Sequence, residues 1–321
     1  MKIKNEIEKK NLEKEKNNKT KLLNPKIDIV FQMLFSSQNT NITKGLISAL
    51  IDKKIENIKL EINKQLIGNK IDDKVGIVDL RARLNNNIEC EIEMQMVYSK
   101  NFIPRLLYYW SKIYSGQLKK GNKYNELNKV ICISIINEDI KEFEELKAHS
   151  KWQIREEENV TKILTDKLEL HIITIPKAIK EYKKNKKDKI LQWMMFLNEP
   201  ECVEVYEIMK ENSEIKEAEV ALRELSEDEE NQRIAELREK HILDTQDIYE
   251  TGLDEGYKRG EKAGKIEGKR EGKIEGKREG INEEKVKIAK KLLNKNMPID
   301  QIIEVTELTK EEILKIKNEN N

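Results

Sequence analysis

The chain has 321 residues, 38% of them charged and 37% hydrophobic, which is long enough for one or two domains with a buried core. Its formal charge of +1 supplies no global field for a polyanion, so any nucleic-acid surface has to come from local patches. Three separated cysteines (Cys90, Cys132, Cys202) and three scattered histidines (His149, His171, His241) argue against a disulfide framework, a structural zinc site and a histidine metal cluster.

The charged stretch from Met1 to Lys21 lacks the apolar core of a secretory signal, and no apolar run nears the roughly 18 residues of a membrane span. A cytoplasmic location is expected. Aromatic and β-branched residues concentrate between about Leu22 and Ile179, whereas Glu211 to Glu284 is almost entirely Lys, Glu, Arg and Gly. Five regions follow: a disordered lead (1–20), a folded domain (21–200), a charged helical linker (201–250), a segment with glycine at every fourth position (251–284) and a small helical hairpin (285–321).

In chain order, Pro25 opens an amphipathic helix that carries Asp28, with Ile29, Met33 and Leu34 on one stripe and Phe31 and Phe35 beside it. A second helix is predicted from Thr43 to Ile51, and Ile58–Ile62 alternates as a strand. Val75–Leu84 places Val78, Leu80, Ala82 and Leu84 on one face and Asp79, Arg81 and Arg83 on the other. Ile88–Val97 places Ile88, Cys90, Ile92, Met94 and Met96 opposite Glu89, Glu91, Glu93 and Gln95. Both read as half-buried strands, joined by an Asn85-Asn86-Asn87 turn. Phe102–Leu118 has helical spacing with Gly121 as its stop, Val130–Ile136 reads as a strand covered on both faces, and a further strand runs from Leu168 to Ile175, ending at Pro176. The predicted fold is α/β with an α-β-β-β-α-β core, followed by a charged, largely helical tail.

With the asparagines as the loop, Leu84 opposes Ile88. Arg83 then meets Glu89, Arg81 meets Glu91, and Asp79 faces Glu93. A one-residue slip would set polar against apolar positions, which favours this register. Two opposed carboxylates repel unless a cation lies between them, so the pair reads either as a solvated polar end of the hairpin or as a hard-oxygen site for Mg²⁺, with Gln95 on the same face.

Pro25–Phe35, Gly76–Arg81, Ile92–Gln95 and Arg105–Gln117, in this order, together with Gly121 and Tyr124, resemble the PD-(D/E)XK nucleases, and more closely their recombination-promoting nuclease and putative transposase family. The resemblance implies a restriction-endonuclease-like core and a DNA endonuclease, a hydrolase that uses Mg²⁺ or Mn²⁺ and promotes recombination or mobile-element transfer. It makes Asp79 and Glu93 the metal-binding acids, with Asp28 as an additional acid, and puts Gln95 where the superfamily carries a lysine. It places Arg105 and Gln117 at family positions on the next helix. Arg105 suits either a DNA phosphate or a helix-surface ion pair. The alternative is a catalytically inactive nuclease fold that binds DNA or oligomerises through its helices.

Glycine recurs at positions 252, 256, 260, 264, 268, 272, 276 and 280, and Gly264–Glu271 and Gly272–Glu279 are identical copies. Each glycine costs a lone helix roughly 1 kcal/mol against alanine, so the segment is either a flexible tether or a helix packed on a partner. Homodimerisation through this tail is the expectation. Ile299–Ile313 is similar to a small helix-turn-helix but lacks a strongly basic face, so a generic helical hairpin fits equally.

Overall fold

The computed structural model describes residues 21–62, 65–66, 76–77, 79–85 and 87–319, so the expected disordered lead over 1–20 lies outside the described residues. Two units divide the chain between Gln246 and Asp247.

In the first unit, the short helix α1 (Asp28–Leu34) and α2 (Thr40–Ile51) precede strand β1 (Ile58–Ile62). Where one strand is predicted over 75–84, the chain makes two pieces. Gly76–Ile77 (β3) pairs with Gln65–Leu66 (β2) in a separate two-stranded ladder, and Leu80–Leu84 (β4) joins the main sheet. Asp79 sits in the bend just before β4. Strand β5 (Ile88–Gln95) pairs antiparallel with β4 in the predicted register, Leu84 opposite Ile88, Arg83 opposite Glu89 and Arg81 opposite Glu91. Asn85 takes the left-handed conformation that asparagine tolerates in a tight turn (φ 48°).

Helix α3 (Phe102–Ser115) then crosses to β6 (Lys129–Ile136), which lies parallel to β5. The helix ends at Gly116; Gly121, with φ 96°, serves the following loop instead. Strand β7 (His149–Trp152), which has no alternation to betray it, adds antiparallel to the outer edge of β8 (Leu168–Thr174), itself parallel to β6. The six-stranded mixed sheet has the order β1-β4-β5-β6-β8-β7. Pro176 does not merely stop β8. It stands in the first turn of α4 (Ile175–Tyr182), where its missing N–H has no helical partner to lose.

One face of the sheet offers Leu80, Ala82, Leu84, Cys90, Ile92, Met94, Ile131, Ile133 and Ile135 to a helical layer anchored by Phe31, Phe35, Leu46, Leu50, Trp193 and Phe196. The other face offers Val130, Cys132, Ile136, Leu170 and Ile172 to Phe102, Leu106 and Ile113 of α3. This second layer changes the reading of β5. Its acidic face is not solvated, because the crossover helix covers it, and Glu89, Glu91 and Glu93 are all buried.

The helical layer also takes in residues expected to be a linker. After α5 (Lys189–Asn198), α6 (Val203–Ile208), α7 (Ser213–Glu227) and the first turns of α8 (Glu229–Leu293) bury Val205, Ile208, Ile215, Ala218, Leu222 and Ala235 in the core. The folded domain therefore does not end near residue 200; the first unit runs to Gln246. Ile215, Ala218 and Leu222 form a helical stripe that the surrounding charge conceals.

In the second unit the glycine-period segment is helical, as the continuation of α8. Helices α9 (Ile299–Thr306) and α10 (Lys310–Glu319) close on its end around Ala289, Ile302, Leu308, Ile313 and Ile316. Among the described residues no helix is long and apolar enough to cross a membrane.

Candidate active site

The site grows from the bend before β4 and the end of β5. The carboxylate of Asp79 accepts a hydrogen bond from the backbone N–H of Met94 (2.7 Å) through Oδ2 and one from the Gln32 amide of α1 (3.2 Å) through Oδ1. Met94 is the chain neighbour of Glu93, so these bonds hold Asp79 against the strand segment that carries the second acid. Burial pushes Asp79 up to about 6; the Met94 N–H opposes this, and the charge of Asp28 adds to it. Glu93 is pushed up to about 7 by burial, against the pull of Arg105 and with a further rise from Asp79. The charge of Asp79 thus makes Glu93 harder to ionise, as expected of carboxylates in one low-dielectric site.

Gln95, two residues on and therefore on the same face of β5, donates its amide N–H to Glu93 Oε1. Its carbonyl accepts from Nη2 of Arg105 on α3 at 2.6 Å, and the same guanidinium nitrogen is 3.6 Å from Glu93 Oε1. Arg105 thus faces the acids rather than lying in a pair on the helix surface. Several buried polar atoms here have no hydrogen-bond partner among the described residues: Glu91 Oε1, Glu93 Oε2 and Ser134 Oγ on the sheet, and Arg105 Nε on α3. Ser134 pairs with Glu93 across β5 and β6. Orphaned donors and acceptors concentrated under one helix mark a place where protein alone does not complete the bonding.

The remaining predicted residues separate. Asp28 is gripped through both carboxylate oxygens by Arg238 of α8, a partner 210 residues away that no local pattern announces. Gln117 spends its amide on the backbone of Asn128, accepting from its N–H at 2.7 Å and donating to its carbonyl at 3.3 Å. It pins the loop that enters β6. Arg81, although opposite Glu91 in register, directs its guanidinium to Glu89 (3.1 Å), which Arg83 also reaches (2.7 Å). Glu91 is left to the S–H of Cys132 (3.1 Å) and is pushed up to about 8 by burial.

Two of the histidines that look scattered in the sequence do meet, because β7 lies beside β8. His149 Nε2 is 2.7 Å from His171 Nδ1, and His171 Nε2 is 2.9 Å from Glu169, which also binds Lys129 and Lys151. Burial opposes ionisation of Glu169, but the hydrogen bonds from His171, Lys129 and Lys151 outweigh it and hold this carboxyl below the usual range. A cavity of about 1080 Å³ lies beside His149, lined also by Lys44, Ser48, Asp188 and Trp193. None of the acids at the end of β5 lines it.

A family model for the PD-(D/E)XK nuclease family transposases matches residues 25–252, well over half of the chain. The protein belongs to this family. Neither the curated proteins nor the solved structures compared with it give a match. The matched span of the PD-(D/E)XK nuclease family transposase takes in α1, the β4–β5 hairpin, α3 and the Arg238 turn of α8. Its mixed α/β architecture is that of the family, membership makes its function nuclease- or transposase-like with DNA as substrate, and nucleases of this class generally use divalent metals.

The residues present fit such an ion in part. Asp79 is bonded to the N–H of the residue after Glu93, both acids are buried and held above their usual pKa, and among the described residues Glu93 Oε2 lacks a partner. Asp28 does not complete a third position. Its oxygens are engaged by Arg238, and among the described residues no three His, Cys, Asp or Glu side chains form a ligand group. Two carboxylates with water and a phosphate oxygen are nonetheless a usual set for Mg²⁺.

Proposed function

We propose that this PD-(D/E)XK nuclease family transposase is a metal-dependent DNA endonuclease whose cleavage promotes recombination or mobile-element transfer. The observation that carries the reading is the pair of buried carboxylates Asp79 and Glu93: Asp79 accepts the N–H of Met94, the neighbour of Glu93, and its charge raises the pKa of Glu93.

Asp79, fixed by Gln32 and the Met94 N–H, and Glu93, fixed by Gln95, would hold Mg²⁺ or Mn²⁺. When bound, such an ion polarises a phosphodiester and lowers the pKa of an attacking water. The chain's own part is positional. Holding both acids by side-chain and backbone N–H groups keeps them from swinging apart when DNA arrives, and this preorganisation is where rate is gained. Water supplies the new P–O bond, the bond from phosphorus to one deoxyribose oxygen breaks, and that oxygen leaves with a proton. Association with a second copy through the glycine-period helix would bring two such sites to two strands.

Plasmid DNA incubated with the purified protein and Mg²⁺ should be nicked or degraded, and EDTA should stop it. Asp79→Ala should lower the rate by on the order of 10³-fold or more, since metal contacts supply several kcal/mol of transition-state stabilisation. Activity that survives EDTA would sink the reading. The competing reading, an inactive nuclease fold that only binds DNA, rests on Gln95 standing where the wider superfamily carries a lysine; binding without cleavage in any divalent metal would select it.

A further inference from the structure

Resting on the nuclease reading above, we infer that Arg105 is the catalytic cation of this site, delivering from helix α3 the positive charge that Gln95 cannot supply from the strand. Cleavage adds negative charge to the non-bridging phosphate oxygens in the transition state, and a cation aimed at that charge is among the largest contributions an active site can make. A neutral amide at position 95 leaves that role open.

Three observations place Arg105 in it. Its Nη2 donates to Gln95 Oε1 at 2.6 Å, so the guanidinium stands against the side chain whose position lacks the charge. Its nearest approach to the Glu93 carboxylate is 3.6 Å, longer than the hydrogen bond to the neutral amide, so it is oriented by Gln95 rather than consumed by Glu93. Among the described residues its Nε, which is buried, has no hydrogen-bond partner, while the side chain as a whole stays 34% exposed. The exposed part of the guanidinium can meet an acceptor arriving from solvent, and its planar fork matches phosphate oxygens in a way lysine does not. Gln95 then has two tasks in one chain of hydrogen bonds, since its N–H steadies Glu93 and its carbonyl aims Arg105.

The test transplants the charge. Four proteins are compared on plasmid DNA with Mg²⁺: wild type, Arg105→Gln, Gln95→Lys and the double variant. A fluorescent duplex titrated in EDTA reads binding separately from cleavage. Arg105→Gln should lower kcat by roughly 10²–10³-fold, as the loss of one preorganised donor does, with KM and duplex affinity changed only a few-fold. Gln95→Lys in that background should recover at least about tenfold, because a lysine on the strand takes over the missing charge. Wild-type kcat in Arg105→Gln, or no recovery in the double variant, would overturn the assignment while leaving the nuclease reading intact. If wild type itself shows no metal-dependent cleavage, both fall together. Should thermal melting show Arg105→Gln to be unfolded, Arg105→Lys decides: it keeps the charge and should stay within about tenfold of wild type, and a drop to the Asp79→Ala level overturns the claim.

Discussion

Asp79 and Glu93 are held where ionisation is costly, and this makes their chemistry visible in stability as well as in rate. In the folded chain they hold protons up to about 6 and about 7, against ordinary values of 3.8 and 4.5. Between those limits the native state binds more protons than the unfolded one, so stability falls as pH rises from about 4 to about 7. The favourable contribution is complete below that window and gone above it. Glu93→Gln should therefore be more stable than wild type at pH 8, by about 1–3 kcal/mol, and show no gain at pH 4. Thermal denaturation at the two pH values checks this, and a lower Tm at pH 8 would contradict it. Mg²⁺ should raise the wild-type Tm at pH 8 and fail to raise that of Glu93→Gln. Asp28 behaves differently. With its carboxylate gripped by Arg238, Asp28→Asn should keep Mg²⁺-dependent cleavage within about tenfold of wild type, which a plasmid assay beside Asp79→Ala will show.

At the scale of elements, the site depends on a crossover. Strand β5 carries the acids, but α3 makes their surroundings dry and brings Arg105 to them. On the opposite face the late helices matter as much. Gly45 of α2 lies so close to α7 that an added Cβ would stand 2.8 Å from both Cβ and Cγ of Glu214 and 3.4 Å from Trp193. Gly45→Ala should cost about 1–3 kcal/mol, the usual penalty for overpacking, measured by denaturant unfolding. No change would mean that α7 is not packed there. The hairpin register was legible from parity alone, because a slip by one residue exchanges the faces. The burial of its acidic face was not, since alternation reports only which residues share a face and says nothing of what covers it. Strand β7 left no trace, because a four-residue edge strand with mixed exposure has no pattern to read.

For the whole molecule, the glycine-period helix is the segment through which we propose that two copies associate. In the second unit nothing lies within 4 Å of a Cβ built at Gly252, Gly256, Gly260, Gly264, Gly268, Gly272, Gly276 or Gly280, and Ile266, Ile274, Ile281 and Ile288 are exposed. Alanine at Gly264, Gly268, Gly272 and Gly276 should then raise helicity, each adding up to about 1 kcal/mol. If a second copy packs on this ridge, the same change should weaken the dimer because the added methyl groups keep the helices apart. Circular dichroism reads the first effect and sedimentation equilibrium the second. A dimer unaffected by four alanines would remove the ridge from the interface.

By itself the sequence determined most strands of the main sheet, the pairing of β4 with β5 and the family, because these are written in local periodicity and in motifs a few residues long. Only the tertiary structure decided what surrounds Asp79 and Glu93. It turned Arg105 toward Gln95, gave Asp28 to Arg238, spent Gln117 on a backbone and folded residues 201–246 into the first unit. The physical reason is range: periodicity encodes which face a residue takes, whereas the partner that meets it there comes from another element, in one case 210 residues away.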